Sequence, residues 1–254
     1  MYTKKIIIVL YSILSFSLTA DYYVKEQKIY YEGYDHKNGK FINYDDEVKN
    51  IDLDSFEQLN PFYARDNNTV YFRGKETDID RNSVKIIRLN LVKDKNFVYY
   101  GDKKLKVSPK NFLFVNRKVS NESIPTIHAG SIFYVKDSQN AYHVEVDKDG
   151  NIKETKLDNA DVGKLVSWNE ILAKDEKSVY RYGEKIDYID AVSFNGNGID
   201  YGKDKNNWYY GVTKIKNADY KSFKEIKGSL TFAKDKYNVF YKEKIIEGAD
   251  KKTF

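Results

Sequence analysis

Apolar and polar residues alternate in short runs along the chain, and residues that favour turns interrupt the runs. Residues 230–234 alternate, residues 235–238 contain Asp and Asn, and residues 239–241 are again apolar and aromatic. Alternation with a period of two predicts β-strands, and Asp or Asn between two such runs predicts a hairpin turn. Residues 244–247 have the pattern of a third short strand.

This three-stranded pattern recurs seven times. Each copy contains an aromatic pair, whose first members are spaced by 28 to 43 residues: Tyr30, Tyr71, Tyr99, Tyr142, Tyr180, Tyr209 and Phe240. A period in this range is typical of stacked or radial repeat proteins. We therefore predict an all-β tandem array of about seven three-stranded units with short capped turns. A β-propeller is the alternative, because segments such as residues 223–226 have the pattern of a fourth strand per blade.

Two series of polar residues accompany the repeats. One series stands four positions before an apolar residue at the close of each unit, where it is expected to cap a single helical turn: Asp52, Asp80, Ser108, Asp161, Asp190, Asp219 and Asp250. The apolar residues are expected to fill the core: Phe56, Val84, Phe112, Leu165, Phe194, Phe223 and Phe254. The alternative for the capping series, a ladder of Ca²⁺ sites, requires six to eight oxygens per ion.

The second series lies in the hairpin turns, directly after a lysine or arginine. Its members are Asp66, Asp94, Asp137, Asp175, Asp204 and Asp235. We interpret these aspartates as turn residues with a charged edge that discourages the addition of further strands.

The joint recurrence of these features resembles the DKNYY family of bacterial repeat proteins. Residues 93–100 read Lys-Asp-Lys-Asn-Phe-Val-Tyr-Tyr, and residues 203–210 read Lys-Asp-Lys-Asn-Asn-Trp-Tyr-Tyr. Ala-Asp followed by Ser-Phe or Thr-Phe closes the units at residues 218–223 and 249–254. The resemblance extends from about residue 22 to the last residue. It implies a repeat architecture and carries over no catalytic residues.

Residues 1–20 have the composition of a secretory signal peptide. Lys4 and Lys5 precede an uncharged apolar run at residues 6–18, and small residues follow. Cleavage is expected after Ala20 or after Ser17, and an uncleaved anchor is the alternative. We predict a signal peptide at residues 1–20, a single repeat domain at residues 21–254, and export to the periplasm, the outer cell envelope or the medium. We expect no integral membrane span after cleavage.

The sequence has no recognisable catalytic or metal-binding motif. It contains no cysteine, and its three histidines lie in different units. We therefore predict no enzyme, no catalytic residue, no cofactor and no metal site; a hydrolase with two carboxylates is the alternative. His143 replaces an aromatic at a variable position and is expected at the surface. Charges of both signs alternate, so nucleic acid is not expected as a partner.

Aromatic side chains are the remaining candidates for ligand binding. The first aromatic of each pair is aromatic in every unit, which predicts a core position. The second varies and can contact ligands, which makes Tyr100, Tyr210 and Tyr241 candidates. Trp208 is a further candidate, because residues 206–211 resemble the aromatic core of choline-binding cell-wall repeats. We expect a non-catalytic interaction scaffold in the bacterial cell envelope that binds an unidentified envelope protein or glycan. The alternative is a module that binds glycan or peptidoglycan through these aromatics.

Overall fold

The chain forms β-strands throughout the part that the structure describes. The structure, a computed structural model, describes residues 21–37, 40–115 and 132–250, and only the backbone of residues 34–37 and 40–44. No helix long and apolar enough to cross a membrane occurs in these ranges. The strands form seven separate antiparallel sheets, which we number in chain order. The predicted all-β array of about seven units is confirmed.

Sheets 1 to 3 cover the first part of the chain. Sheet 1 contains β1 (Asp21–Lys25), β2 (Lys28–Lys37) and β3 (Lys40–Glu47). Sheet 2 contains β4 (Glu57–Gln58), β5 (Tyr63–Arg65), β6 (Val70–Phe72) and β7 (Lys75–Thr77). Sheet 3 contains β8 (Lys85–Arg88), β9 (Leu91–Lys93), β10 (Val98–Tyr100) and β11 (Lys103–Leu105).

Sheets 4 to 7 repeat the arrangement. Sheet 4 contains β12 (Leu113–Phe114), β13 (Ile132–Lys136), β14 (Ala141–Val146) and β15 (Ile152–Lys156). Sheet 5 contains β16 (Val166–Ser167), β17 (Leu172–Lys174), β18 (Val179–Arg181) and β19 (Glu184–Ile186). Sheet 6 contains β20 (Tyr201–Lys203), β21 (Trp208–Tyr210) and β22 (Thr213–Lys214). Sheet 7 contains β23 (Lys224–Glu225), β24 (Phe232–Lys234), β25 (Val239–Tyr241) and β26 (Lys244–Ile245).

Five of the seven sheets have a fourth strand that the three-stranded prediction lacks. This strand directly follows the apolar residue that closes the preceding unit, as Lys224–Glu225 follows Phe223. It was expected only for the propeller alternative. However, neither residues 21–76 nor residues 77–250, as far as the structure describes them, form a closed barrel or a propeller.

The chain divides into two compact units, Met1–Glu76 and Thr77–Phe254, and the boundary falls within β7. Within each unit, neighbouring sheets enclose a shared hydrophobic core. We call the side of a sheet that carries the first aromatic of its pair the first face, and the opposite side the second face. The prediction of a single domain at residues 21–254 stays a prediction.

Sheets 5 and 6 illustrate this packing in the second unit. Leu172 and Val179 on the second face of sheet 5 share a core with Tyr209 on the first face of sheet 6. Phe194, the apolar residue of the closing turn, lies in the same core and contacts Tyr209 edge to face at 5.8 Å. The prediction that the closing apolar residue fills the core is confirmed here, whereas Phe254 lies outside the described residues.

A small or β-branched residue stands opposite the first aromatic in sheets 2 to 7. Ala173 pairs with Tyr180 and Ala233 with Phe240, for example. The large ring and its small neighbour together cover the core side of the hairpin. Neighbouring sheets also approach closely, because a Cβ on Gly183 would lie 2.9 Å from the Cβ of His143 in sheet 4. Gly183 has a φ of +80°, which glycine adopts without strain.

Candidate functional site: aspartate turns and surface aromatics

The aspartates of the hairpin turns are buried, and their carboxylates bind the backbone on both sides. One carboxylate oxygen accepts hydrogen bonds from the N–H groups two and three residues ahead, as Asp204 does from Asn206 at 2.8 Å and Asn207 at 2.7 Å. All six described members make this pair of bonds. The predicted turn is confirmed. The predicted charged edge is wrong, since Asp204 is only 2% exposed.

The other carboxylate oxygen joins the hairpin to the closing turn before it. Asp204 accepts a hydrogen bond at 3.0 Å from the N–H of Asp190, the capping residue of that turn. The same bond occurs in all six described turns, at distances between 2.7 and 3.0 Å. Tyr209 donates its hydroxyl to the same oxygen of Asp204 at 2.8 Å. A single carboxylate thereby accepts four hydrogen bonds.

These contacts determine the protonation states of the buried groups. Burial alone would raise the pKa of Asp204, but the N–H and hydroxyl donors outweigh burial and lower it. Asp66 and Asp94 have lowered pKa values for the same reason. Burial would also raise the pKa of Asp137, but its three N–H donors and the nearby Lys156 lower it. Burial and the bond to Asp204 raise the pKa of the Tyr209 hydroxyl. At neutral pH the carboxylate is therefore ionised and accepts hydrogen bonds, and the phenol is neutral and donates.

The aspartates of the closing turns cap those turns at the surface, as predicted. Asp190 accepts hydrogen bonds from the N–H and the hydroxyl of Ser193 at 3.0 and 2.6 Å. Lys205 forms an ion pair with Asp190 at 2.9 Å. The bonds from Ser193, together with Lys205, lower the pKa of Asp190 to about 2. In the described ranges, no group of three or more His, Asp or Glu residues is placed to hold a metal ion.

The four candidate aromatics have different environments. Tyr100 is buried and stacks on Phe133 at 6.1 Å in the core between sheets 3 and 4. Trp208 and Tyr210 are partly exposed and pack against the core between sheets 6 and 7. Tyr241 is 43% exposed.

Tyr210 and Tyr241 both lie within 6 Å of one cation. The ammonium group of Lys242 is 5.9 Å from the ring centre of Tyr210 and 5.4 Å from that of Tyr241. Trp208 instead contacts Lys203, whose ammonium group is 5.0 Å from its ring centre, and donates its indole N–H to the carbonyl of Tyr220. The structure therefore brings two of the four candidates together and leaves Tyr100 and Trp208 elsewhere.

The prediction that His143 lies at the surface is wrong. Its ring is fully buried between sheets 4 and 5, 4.6 Å from the ring of Tyr134, and Nε2 lies 3.1 Å from the carbonyl oxygen of Glu170. Burial lowers the pKa of the imidazole, which is consequently neutral at pH 7. The repeat phase alone carried no signal for this burial, because Arg181 occupies the equivalent position in sheet 5 and is exposed.

The loop after β14 forms a hairpin turn, and its acidic residues serve the turn. Asp147 accepts hydrogen bonds from the N–H groups of Asp149 and Asn151 at 2.9 and 2.8 Å. Gly150 has a φ of +76° and donates its N–H to the carbonyl of Asp147. The loop has five residues, between Val146 and Ile152.

Sequence analysis did not identify a surface cleft beside the hairpin turns of sheets 5 and 6. The cleft has a volume of about 530 Å³, and Tyr188 and Val192, 58% and 78% exposed, lie in its wall. Lys205 and Asp190 also line it, but they are paired with each other. No sequence signal pointed to it, because Tyr188 and Val192 lie outside the repeated motif.

Comparison with known proteins relates the repeat to one family. The model of the DKNYY family matches residues 63–213 and, in a second match, residues 201–254. No curated protein and no solved structure is significantly similar to the chain. The two matches cover most of the chain and include the hairpin aspartates and the tyrosines that bind them. This chain belongs to the DKNYY family.

Proposed function

We propose that this chain is an exported, non-catalytic repeat protein that serves as an interaction scaffold in the bacterial cell envelope. The proposal is based on the observation that the recurring polar groups form hydrogen bonds within the fold. The hairpin carboxylates and several tyrosine hydroxyls, which recur in the repeats, are occupied by hydrogen bonds inside the fold. The repeated residues thus serve the architecture, and binding is left to residues that vary between units.

Exposed aromatic side chains near the hairpin turns support a binding role. Phe97, Tyr188 and Tyr237 are 42%, 58% and 64% exposed. Aromatic residues are enriched in the interfaces between proteins, where they contribute large contact areas. Lysines lie close to two of these rings: Lys104 is 4.9 Å from that of Phe97, and Lys236 is 4.6 Å from that of Tyr237. An envelope protein with a mixed apolar and acidic surface fits these positions.

Export rests on residues 1–20, where two lysines precede an uncharged apolar run. The test is to express the chain in a bacterial host, fractionate the cells and determine the amino terminus of the protein. We expect recovery outside the cytoplasm with an amino terminus at Asp21 or at Leu18. An intact amino terminus in the cytoplasm would contradict export.

The scaffold role is tested by photocrosslinking in cells. A photoreactive amino acid at position 97 or 237 should give discrete covalent adducts with envelope proteins. The same amino acid at position 102, an exposed site in the short turn between β10 and β11, is the control. Absence of specific adducts at both aromatic positions would contradict the proposal.

The second candidate function is glycan binding by Tyr210 and Tyr241. Flat ring faces bind sugars by apolar contact. The Lys242 ammonium group near both rings would favour a sugar that bears a carboxylate. Retention on peptidoglycan should then fall in Tyr210→Ala and in Tyr241→Ala. Tyr237→Ala, which removes an exposed ring from a hairpin turn, is the matched control. Equal retention of all three variants would contradict this function. Tyr100→Ala is unsuitable, because Tyr100 is buried.

A further inference from the structure

The first and last sheets of the described chain each have one face that is less buried than the equivalent faces of the other sheets. The first aromatic of the pair is at most 8% exposed in sheets 2 to 7. Its equivalent in sheet 1, Tyr30, is partly exposed, so its predicted core position is wrong. On the second face, the residue that precedes the partner of the first aromatic in the hairpin is buried in sheets 1 to 6. Its equivalent in sheet 7, Phe232, is partly exposed.

The first face of sheet 1 carries a stacked aromatic pair among carboxylates. The rings of Tyr23 and Tyr30 lie 5.5 Å apart with an angle of 19° between their planes. The strand pairing places four acidic and two basic residues on the same face: Asp21, Glu32, Asp45, Glu47, Lys25 and Lys28. Net negative charge therefore surrounds an apolar surface.

The second face of sheet 7 carries an aromatic pair among lysines. The rings of Phe232 and Tyr241 lie 5.1 Å apart. The charged residues on this face of the three hairpin strands are Lys234 and Lys244, both basic. The equivalent pair in sheet 6 is Tyr201 and Tyr210, whose ring centres also lie 5.1 Å apart. That pair packs against the first face of sheet 7.

We propose that the second face of sheet 7 in one copy packs against the first face of sheet 1 in a second copy of this chain. The contact would join a second face to a first face, as neighbouring sheets join within each unit. It would bury two aromatic pairs and set lysines against carboxylates. Exposed apolar patches on a protein surface mark interaction sites, and each of these two faces leaves an aromatic pair partly exposed.

Such a contact joins two different surfaces and is therefore heterologous. Each added copy leaves one first face and one second face available, so the association extends beyond a dimer or closes into a ring. This inference concerns the fold and does not depend on export or on the scaffold function. Tyr30 is not part of the proposed glycan site.

Sedimentation velocity of the full chain, from low to high micromolar concentration, tests the proposal. We expect the average mass to rise with concentration beyond that of a dimer. Tyr30→Arg places a cation opposite lysines, and Tyr241→Glu places an anion opposite carboxylates. Each substitution should weaken the association about tenfold or more, since it removes a central aromatic. Tyr30→Phe should retain the association, and Tyr237→Glu is the control for an exposed charge elsewhere.

A mixture of the two variants distinguishes the arrangement. Tyr30→Arg keeps an intact sheet 7, and Tyr241→Glu keeps an intact sheet 1. The equimolar mixture should therefore associate at concentrations where each variant alone is monomeric. Circular dichroism of each variant checks that the sheets form.

Three results would overturn the proposal. If the parent chain stays monomeric, no second copy covers these faces. Residues 1–20 or 251–254 of the same chain would then be the alternative cover. Association that is unchanged in both variants would place the contact elsewhere, including the apolar run at residues 6–18. If one variant still forms dimers by itself while the other is monomeric, the contact joins two identical faces. This result would also overturn the proposal.

Discussion

Asp204 and Asp190 are the same residue type in neighbouring repeat units, joined by a hydrogen bond, yet their environments differ. Asp204 is 2% exposed and accepts four hydrogen bonds, one of them from the N–H of Asp190. Asp190 caps a turn at the surface and pairs with Lys205. A buried carboxylate that loses its partners leaves donors unsatisfied away from water, whereas water replaces the partners of an exposed one. The two repeated aspartate series should therefore contribute unequally to the stability of the fold.

The largest difference should appear when both aspartates are changed to asparagine. In Asp204→Asn the amide oxygen keeps the bonds from Asn206 and Asn207, but the amide NH₂ faces the N–H of Asp190 and the hydroxyl of Tyr209. Donors then face donors in a buried site, and we expect the free energy of unfolding to fall by about 3 kcal/mol. Urea unfolding followed by circular dichroism measures this. A loss below about 1 kcal/mol would contradict the buried role.

A smaller loss is expected from Tyr209→Phe, which removes one of the four donors to Asp204. A hydrogen bond to a charged group contributes about 1.5–3 kcal/mol, and the carboxylate keeps its three N–H donors, so we expect a loss near the lower end of that range. Tyr180→Phe is the matched control, because its hydroxyl lies 3.3 Å from Asp175 and should contribute less. Equal losses in both variants would show that the hydroxyl bond does not determine the effect.

Asp190→Asn should have a much smaller effect than Asp204→Asn. Asparagine caps turns about as well as aspartate, and its amide oxygen can accept the bonds from Ser193. The ion pair with Lys205 is exposed, and such pairs contribute little to stability. The same urea measurement compares the two variants directly. Equal losses for Asp190→Asn and Asp204→Asn would remove the distinction between the two series.

The stability difference between the parent chain and Asp204→Asn should also depend on pH. The pKa of Asp204 is lowered in the folded chain, so its stabilisation is fully present above the unfolded-state value of about 3.9 and is lost as the pH falls through the folded-state value. The stability gap between the parent chain and Asp204→Asn should therefore narrow below about pH 4. Urea unfolding at a series of pH values measures the gap. A gap that stays constant into strong acid would mean that the ionised form is not the one that stabilises the fold.

The candidate site could be predicted only in part, because equivalent positions in the repeat do not share one environment. Tyr100 and Tyr241 occupy the same place in their units, yet Tyr100 is 7% and Tyr241 43% exposed. The difference arises from what covers each second face, and sheet 4 covers that of sheet 3. No residue near Tyr100 or Tyr241 in the sequence carries this information.

The repeat, the hairpins and the capped turns could be predicted from the sequence, because they depend on contacts within a few residues. Asp204 accepts hydrogen bonds from N–H groups two and three positions ahead, and Asp190 caps a turn three residues long, so local spacing suffices to predict both turns. Which groups are buried depends on the tertiary structure. The second oxygen of Asp204 reaches back 14 residues to Asp190, and His143 is buried because sheet 5 packs over it. Burial depends on the neighbouring sheet, and its position follows from the stacking of whole units rather than from the residues at the site.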